Sequence, residues 1–344
     1  MPSKFPLTLS QAGSLSSSMS SSRKAKPEPR KVRATGSQSD ARRARLTAIA
    51  DATIQALESG SYTHNGATHT IEAAVRASRL GTQYYAPDSM LSAWNSDAAK
   101  ARLVSAGSGT RIADISVLEI SSLDGARLLW NDNNTGIGVG ANIEEKKIGV
   151  LNFASATKPG GGFLTGAQAQ EESLARASAL YPTLTTRSAG QFYEIHKAKK
   201  GPKSGYYTHA MVYSPRVVVF RDDAGGWVEP YYVDMLTSPA VNAGDVRRKL
   251  PEDSDLDAEE ERIVRVMRER MARILFLFEQ RGARRLVLGS FGTGVFRNSV
   301  EAVARIWAEL LCKDGARFAG SFERVVFAVL GRETYETFVQ VLNE

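Results

Sequence analysis

Cysteine is almost absent from this chain of 344 residues, which contains one, Cys312. A single cysteine excludes internal disulfides and a cysteine-based zinc site. Cys312 lies in the helical pattern AELLCKDG, where we expect it to fill a core position. Histidine is also scarce, and the four histidines (His64, His69, His196 and His209) have no metal-ligand spacing. We therefore expect no metal site, and we also expect that the chain needs no cofactor.

Long apolar runs are missing as well. The run ILFLF at 274–278 is far shorter than the roughly 20 residues that a membrane-spanning helix needs. A hydrophobic fraction of 42% and a charged fraction of 24% are typical of a soluble globular protein. The sequence thus favours one or two globular domains and predicts no membrane partner.

Acidic residues are scarce at the amino-terminal end, where the net charge of +7 originates. Residues 1–45 hold ten lysines and arginines against two acidic residues, so the remaining chain is close to neutral and direct nucleic-acid binding is not expected. Residues 1–40 are also rich in serine, and we predict that they are disordered. A mitochondrial address, a nuclear import signal and a plain solvated tail all fit, which leaves an intracellular location open between nucleus, cytoplasm and mitochondrion.

Apolar periodicity divides the rest of the chain into two regions. Residues 41–113 predict a mostly helical accessory region packed on the domain that comes after it. From 114 to 344 short β-branched runs alternate with helical ones, and a long helix is predicted at about 258–281. This alternation indicates an α/β domain, with a sheet covered by helices.

Two glycine-rich segments follow apolar strands and lead towards helices: KPGGGF at 158–163 and LGSFGTGVF at 288–296. Bare backbone amides near helix N-termini favour phosphate groups, so two such loops could clasp a diphosphate. Two ordinary tight turns would give the same composition. Neither a P-loop nor a complete G-x-G-x-x-G pattern is present.

The adjacent acids Glu171 and Glu172 stand at the start of a predicted helix. Neighbouring helical residues point about 100° apart, so the two carboxylates cannot share one role. One could address a hydroxyl while the other acts at a reacting centre, as glycosidic chemistry requires of a partly buried glutamate. Alternatively, both acids could simply complement the helix N-terminus.

Three glycines, seven residues and then Gln-Glu-Glu closely resemble the signature loop of the poly(ADP-ribose) glycohydrolases. The stretch 150–181 looks like the microbial-type branch of that family, and the likeness continues through 212–222, 236–244 and 287–296 in the family's order. The resemblance implies a macro domain, a mixed sheet sandwiched between helices with ADP-ribose in a cleft. It also implies a glycosidase that releases ADP-ribose from poly(ADP-ribose), in the context of the DNA damage response.

When the family's motifs are matched to this sequence, the resemblance implies a role for residues of both glycine-rich loops. Glu172 would be the general acid and base, Glu171 would bind a ribose hydroxyl, and Gln170 would shape the loop. Gly160, Gly161 and Gly162 would approach the diphosphate and distal ribose. The second clasp would be Ser290, Phe291, Gly292, Thr293, Gly294 and Val295, with Phe296 against the distal ribose or the adenine end. Many relatives have Asn where this chain has Ser155, whose hydroxyl could still reach a ribose.

Other assignments stay open at the level of sequence. Tyr206 or Tyr207 could supply an aromatic contact to adenine, or either could be an ordinary loop or core tyrosine. Asn242, in SPAVNAG, is more typical of a turn than of a ligand contact. Two rival functions remain beside the glycohydrolase: a macro domain that binds ADP-ribose without cleaving it, and an enzyme that removes mono-ADP-ribose from protein. ADP-ribosylated proteins are the expected partners, and a monomer is the expected state.

Overall fold

The computed structural model describes residues 35–100, 113–135, 147–198 and 201–344. Most of the predicted disordered tail, residues 1–34, lies outside the described residues. The first helix, α1, spans Thr35–Ser59 and so begins before the boundary predicted at 41. The prediction of disorder was therefore wrong for residues 35–40.

A β-hairpin follows α1, inside the region predicted to be mostly helical. Its strands are Ser61–His64 (β1) and Ala67–Thr70 (β2), paired antiparallel. Asn65 and Gly66 turn the chain with positive φ angles of 50° and 79°, which is why an Asn-Gly pair suits a two-residue hairpin turn. Helix α2 then spans Glu72–Gly81. The helical prediction was wrong for 61–70 because local turn chemistry outweighs a loose apolar period.

A mixed sheet forms the centre of the described residues. Its strands are Gln83–Tyr85 (β3), Asp114–Leu118 (β4), Ile148–Phe153 (β5), Met211–Arg221 (β6), Trp227–Ser238 (β7), Arg285–Gly289 (β8) and Arg324–Ala328 (β9). Their order across the sheet is β3-β6-β7-β5-β8-β9-β4. Strands β7, β5, β8, β9 and β4 are parallel, whereas β3 and β6 run antiparallel to their neighbours. Strand β3 thus joins the accessory region to the sheet itself.

Helices cover both faces of this sheet. They span Ser122–Thr135 (α3), Gln170–Ala177 (α4), Leu180–Leu184 (α5), Arg187–Ala198 (α6), Ala243–Arg248 (α7), Leu256–Gln280 (α8), Val300–Leu311 (α9) and Arg332–Leu342 (α10). Leu286 and Leu288 of β8 point into a core with α8, α9 and α10, whereas Val287 between them points into a core with α1 to α6. This arrangement confirms the predicted mixed sheet between helices.

Two sequence expectations concern the helices. Among those in the described residues, none combines the length and the apolar character needed to cross a bilayer. Cys312 follows α9, is half-buried and packs against the core. Burial raises the pKa of its thiol to about 11, so it is protonated at neutral pH. Its prediction as a core residue is confirmed.

Candidate active site

The two glycine-rich loops meet at one edge of the sheet. The first follows β5 and leads to α4, and the second follows β8 and leads to α9. Because β5 and β8 are parallel neighbours, their carboxyl ends lie side by side, where open α/β sheets bind ligands. A cavity of about 770 Å³ opens between the loops. We call residues 158–172 the glutamate loop and residues 290–298 the second loop.

Glu172 lies on the wall of this cavity and is held by two backbone amides. Its Oε1 accepts a hydrogen bond from the N–H of Gly162 at 2.9 Å, and its Oε2 accepts one from the N–H of Ala169 at 3.1 Å. The second bond is the one a glutamate in the third helical position makes to the N-cap amide. The residue remains 8% exposed. Glu172 therefore does complement the N-terminus of the helix, as one sequence interpretation predicted, and it also lines the cavity.

Gly161 brings the backbone of the glutamate loop against the carboxylates. Its φ of +59° is in the left-handed region, and a Cβ built on it would lie 2.3 Å from Oε1 of Glu172 and 3.2 Å from Oε2 of Glu171. A side chain at this position would displace a carboxylate. Gly160 has a similar φ of +66° but faces the ring of Phe163 and does not line the cavity.

Glu171 is enclosed by protein, with 2% of its surface exposed. Its Oε2 accepts from the N–H of Ser155 at 2.7 Å, and its Oε1 accepts from Nδ2 of Asn152 at 3.3 Å. Burial raises the pKa of the Glu171 carboxyl to about 8, although both hydrogen bonds oppose the rise; the charge of Glu172 adds to it. Glu171 therefore holds a proton at neutral pH.

Gln170 and Ser155 shape the loop around this pair. The side-chain oxygen of Gln170 accepts from the N–H of Phe153 at 2.8 Å, and its Nε2 donates to the carbonyl of Leu151 at 2.7 Å, so α4 is fixed to the end of β5. The hydroxyl oxygen of Ser155 accepts from the N–H of Lys158 at 3.2 Å. That bond leaves the hydroxyl proton of Ser155 to be donated elsewhere in the cavity, which the residue lines.

The second loop supplies the opposite wall. All of its residues from Ser290 to Phe296 line the cavity. Asn298 holds the loop in shape, because its Nδ2 donates to the carbonyls of Val241 at 2.7 Å and Gly292 at 2.9 Å. Gly292, with a φ of +77°, has no room for a side chain, since a Cβ would lie 2.3 Å from that of Ala240.

The structure separates the two tyrosines that the sequence could not distinguish. Tyr207 lines the cavity and packs against Phe296, with ring centroids 5.9 Å apart. Tyr206 is buried outside it, and its hydroxyl donates to Glu259 at 2.7 Å. Asn242 caps α7, where its Oδ1 accepts from the N–H of Asp245 at 3.0 Å. The turn interpretation of Asn242 is confirmed.

The cavity thus brings together every predicted site residue except Gly160. Two residues that sequence reasoning did not select are Asn152 and Asn298. Asn152 is a polar residue inside the otherwise apolar run IGVLNF, which is a usable signal, because a fully buried amide needs partners. Asn298 carries no comparable signal, since one of the two carbonyl groups that it binds, that of Val241, is distant in sequence. In the described residues, no group of three or more His, Cys, Asp or Glu side chains could hold a metal ion.

Comparisons with known proteins agree with this geometry. The family model of the microbial-type PARG catalytic domain matches residues 50–222, where PARG stands for poly(ADP-ribose) glycohydrolase. The crystal structure of the enzyme from Thermomonospora curvata is 39% identical, with a TM-score of 0.70 over 87% of this chain and 100% of that one. The same enzyme bound to the inhibitor ADP-HPD also matches, at 39% identity and a TM-score of 0.68 over 87% of this chain and 99% of that one.

A second organism gives the same result. The enzyme from Deinococcus radiodurans in complex with ADP-ribose is 32% identical, with a TM-score of 0.63 over 78% of this chain and 96% of that one. The curated proteins contain no match. The fold and the site are therefore those of a glycosidase with a macro-type domain. The chain belongs to the microbial-type poly(ADP-ribose) glycohydrolase family, whose members hydrolyse poly(ADP-ribose).

Proposed function

We propose that this chain cleaves the ribose–ribose O-glycosidic bonds of poly(ADP-ribose) with Glu172 as both general acid and general base. One observation carries the proposal: the carboxylate of Glu172 lies on the cavity wall, fixed by the amides of Gly162 and Ala169. A general acid or base must be held within hydrogen-bond reach of the proton that it transfers. Two backbone amides hold the Glu172 carboxyl group in one position on the cavity wall, which supports this role.

The state of Glu171 also bears on the first step. Burial raises the pKa of Glu171 to about 8, so Glu171 places no second negative charge beside Glu172 at neutral pH. A Cβ on Gly161 would lie within 3.2 Å of both carboxyl groups, so the two groups are close enough to interact.

Cleavage then takes two steps. In the first, Glu172 donates a proton to the departing ribose oxygen while the bond from that oxygen to the anomeric carbon breaks, leaving an oxocarbenium-like sugar. In the second, the Glu172 carboxylate removes a proton from a water molecule, whose oxygen bonds to the anomeric carbon. Cutting a terminal bond gives free ADP-ribose and a polymer one unit shorter, whereas cutting an internal bond gives two shorter polymers; in both cases Glu172 regains its proton.

Substrate binding in this proposal rests on amides and dipoles. The glycines of the glutamate loop and the residues from Ser290 to Val295 would face the diphosphate, with Tyr207 and Phe296 as an aromatic surface beside them. Among the described residues that line the cavity, Lys158 is the one lysine or arginine. ADP-ribosylated proteins are the proposed macromolecular partners, and we propose that the chain acts as a monomer.

Incubation with three substrates tests this function. Purified protein is mixed with poly(ADP-ribose), with mono-ADP-ribosylated protein, or with free ADP-ribose, and the products are separated by chromatography. We expect free ADP-ribose from the polymer and none from the mono-modified protein. Release from the mono-modified protein alone would support the rival hydrolase. Binding of ADP-ribose without release from either substrate would support a non-catalytic binding module.

A further inference from the structure

The back of the glutamate loop is supported by a buried arginine that the family resemblance did not point to. Arg176, in the last turn of α4, is 6% exposed. Its Nη1 donates to the carbonyl of Ala167 at 2.6 Å, across the width of the loop, and its Nη2 donates to Oγ of Ser173 at 3.3 Å. A buried arginine with fixed partners adds rigidity because its planar group allows few alternative geometries.

The bonds from Arg176 continue to the carboxylate of Glu172. Arg176 fixes Ala167, the amide of Ala167 donates to the carbonyl of Gly162 at 3.2 Å, and the amide of Gly162 donates to Glu172 at 2.9 Å. Ala167 also packs on Gly162, where a Cβ would lie 2.9 Å from the Ala167 methyl group. A shift of Ala167 would therefore move the amide that positions Glu172.

Arg176 is itself anchored to the amino-terminal helix α1. The hydroxyl of Thr53, which is fully buried, donates to the backbone carbonyl of Arg176 at 2.6 Å and accepts from Nε of Arg221 at 2.9 Å. Nearer the start of α1, Nε of Arg43 donates to the carbonyl of Thr165 in the glutamate loop at 2.7 Å.

Close packing accompanies these polar bonds. Ala50 of α1 forms a buried cluster with Phe163 of the glutamate loop and Ala175 of α4. Gly166 lies so close to α1 that a Cβ on it would stand 2.5 Å from the carbonyl oxygen of Arg43. Helix α1 thus contacts the loop along its outer side and does not merely precede the domain.

We propose that Arg176 is a positioning residue for Glu172, and that α1 holds Arg176 and the glutamate loop in their active geometry through Thr53. This inference rests on the proposed role of Glu172 as acid and base. The electrostatics of Arg176 agree with this geometry: burial lowers the pKa of its guanidinium, and the interaction with Glu172 opposes that effect.

Steady-state kinetics on poly(ADP-ribose) and calorimetry with ADP-ribose test the role of Arg176. We expect Arg176→Met to lower kcat by about 10²-fold, since a displacement near 1 Å at a reacting group has that effect. The Kd for ADP-ribose should change by no more than about threefold, because an interaction used only in the transition state affects kcat alone. Arg176→Lys, which keeps the charge and a donor, should recover part of the loss.

Arg273 offers a matched control. It is also a buried arginine that holds a backbone carbonyl, that of Pro87 at 2.6 Å, and it does not line the cavity. Arg273→Met should lower thermal stability while kcat stays at the wild-type value. Equal kcat values for Arg176→Met and Arg273→Met would overturn the proposal, and so would a loss of ADP-ribose affinity as large as the loss of kcat.

A second pair of variants covers the case in which Arg176→Met does not fold. Thr53→Val keeps the shape of the side chain and removes the hydroxyl, whereas Thr53→Ser keeps the hydroxyl. We expect a several-fold lower kcat for the valine variant and near-normal kcat for the serine variant. Equal kcat in both would contradict the role of α1. If Glu172→Gln is inactive while these variants are fully active, only this inference fails; an active Glu172→Gln variant would instead refute the proposed function.

Discussion

Replacing Gly161 by alanine adds one methyl group where the structure has least room for it. The new Cβ would stand 2.3 Å from Oε1 and 2.8 Å from Cδ of Glu172, whereas ordinary contacts begin at 3.4 Å. The carboxylate must therefore move by about 1 Å, and it must lengthen or break its bond to the amide of Gly162. The substitution leaves every acid in place and changes only its position.

Two magnitudes follow from this geometry. A displacement of about 1 Å at a reacting group lowers kcat by about 10²-fold, or about 2.7 kcal/mol of transition-state stabilisation. Separately, alanine in the left-handed region costs about 1–2 kcal/mol of folding stability. Gly282 separates the two effects, because its φ is +73° but nothing lies within 4 Å of its virtual Cβ. Gly282→Ala should lose stability and keep its activity.

The assay is the initial rate of ADP-ribose release from poly(ADP-ribose) at saturating substrate, with thermal unfolding of both variants alongside. We expect both alanine variants to lose stability and only Gly161→Ala to lose kcat. A Gly161→Ala enzyme within about threefold of the wild-type kcat would show that the close approach of the backbone does not position the Glu172 carboxylate.

Three further predictions concern pH, salt and the amino-terminal tail. Burial raises the pKa of Glu171 from 4.5 to about 8, so between these pH values the native chain keeps a proton that the unfolded chain releases. The free energy of unfolding should therefore fall as pH rises through this range, by up to about 1.4 kcal/mol per pH unit. Glu171→Gln should remove this part of the slope in urea unfolding at pH 5 to 8, and an unchanged slope would contradict the buried proton. Since Lys158 is the one lysine or arginine among the described residues that line the cavity, calorimetry at 50 and 200 mM salt should show ADP-ribose affinity falling less than about tenfold; a steeper fall would mean that side-chain cations dominate. Deletion of residues 1–34, which stops short of α1, should leave the rate of hydrolysis of long polymer within a few-fold of the wild-type rate. A KM that rises only for long chains and only at low salt would instead show that the basic tail binds polymer.

Local signals were sufficient to predict most of the sheet and the glutamate loop. The alternation of β-branched and helical runs from residue 114 onwards predicted a sheet covered by helices, because each buried strand carries its own apolar pattern. The hairpin at 61–70 was missed although its Asn-Gly pair is a strong local signal, since the flanking strands are short and polar. Strand β3 has three residues, and its pairing with β6 is set by contacts distant in sequence.

The site shows the same division between local and long-range information. Glycine spacing and adjacent acids predicted which loops face the ligand, yet the close contact between Gly161 and the Glu172 carboxylate depends on how the loop folds back on α4. The choice between Tyr206 and Tyr207 depends on a short helical turn that buries one ring and exposes the other to the cavity. Support from α1 through Thr53 joins residues more than a hundred positions apart, which no local pattern can encode.

The most direct test of the acid–base role is the rate of poly(ADP-ribose) hydrolysis by Glu172→Gln, measured with the affinity of the same variant for ADP-ribose. Glutamine keeps the shape of the side chain and its carbonyl can still accept a hydrogen bond from a loop amide, but it cannot transfer the proton. We predict that kcat falls by about 10²–10⁴-fold or more, while the Kd for ADP-ribose stays near the wild-type value. Near-normal hydrolysis by this variant would contradict the assignment of Glu172 as general acid and base.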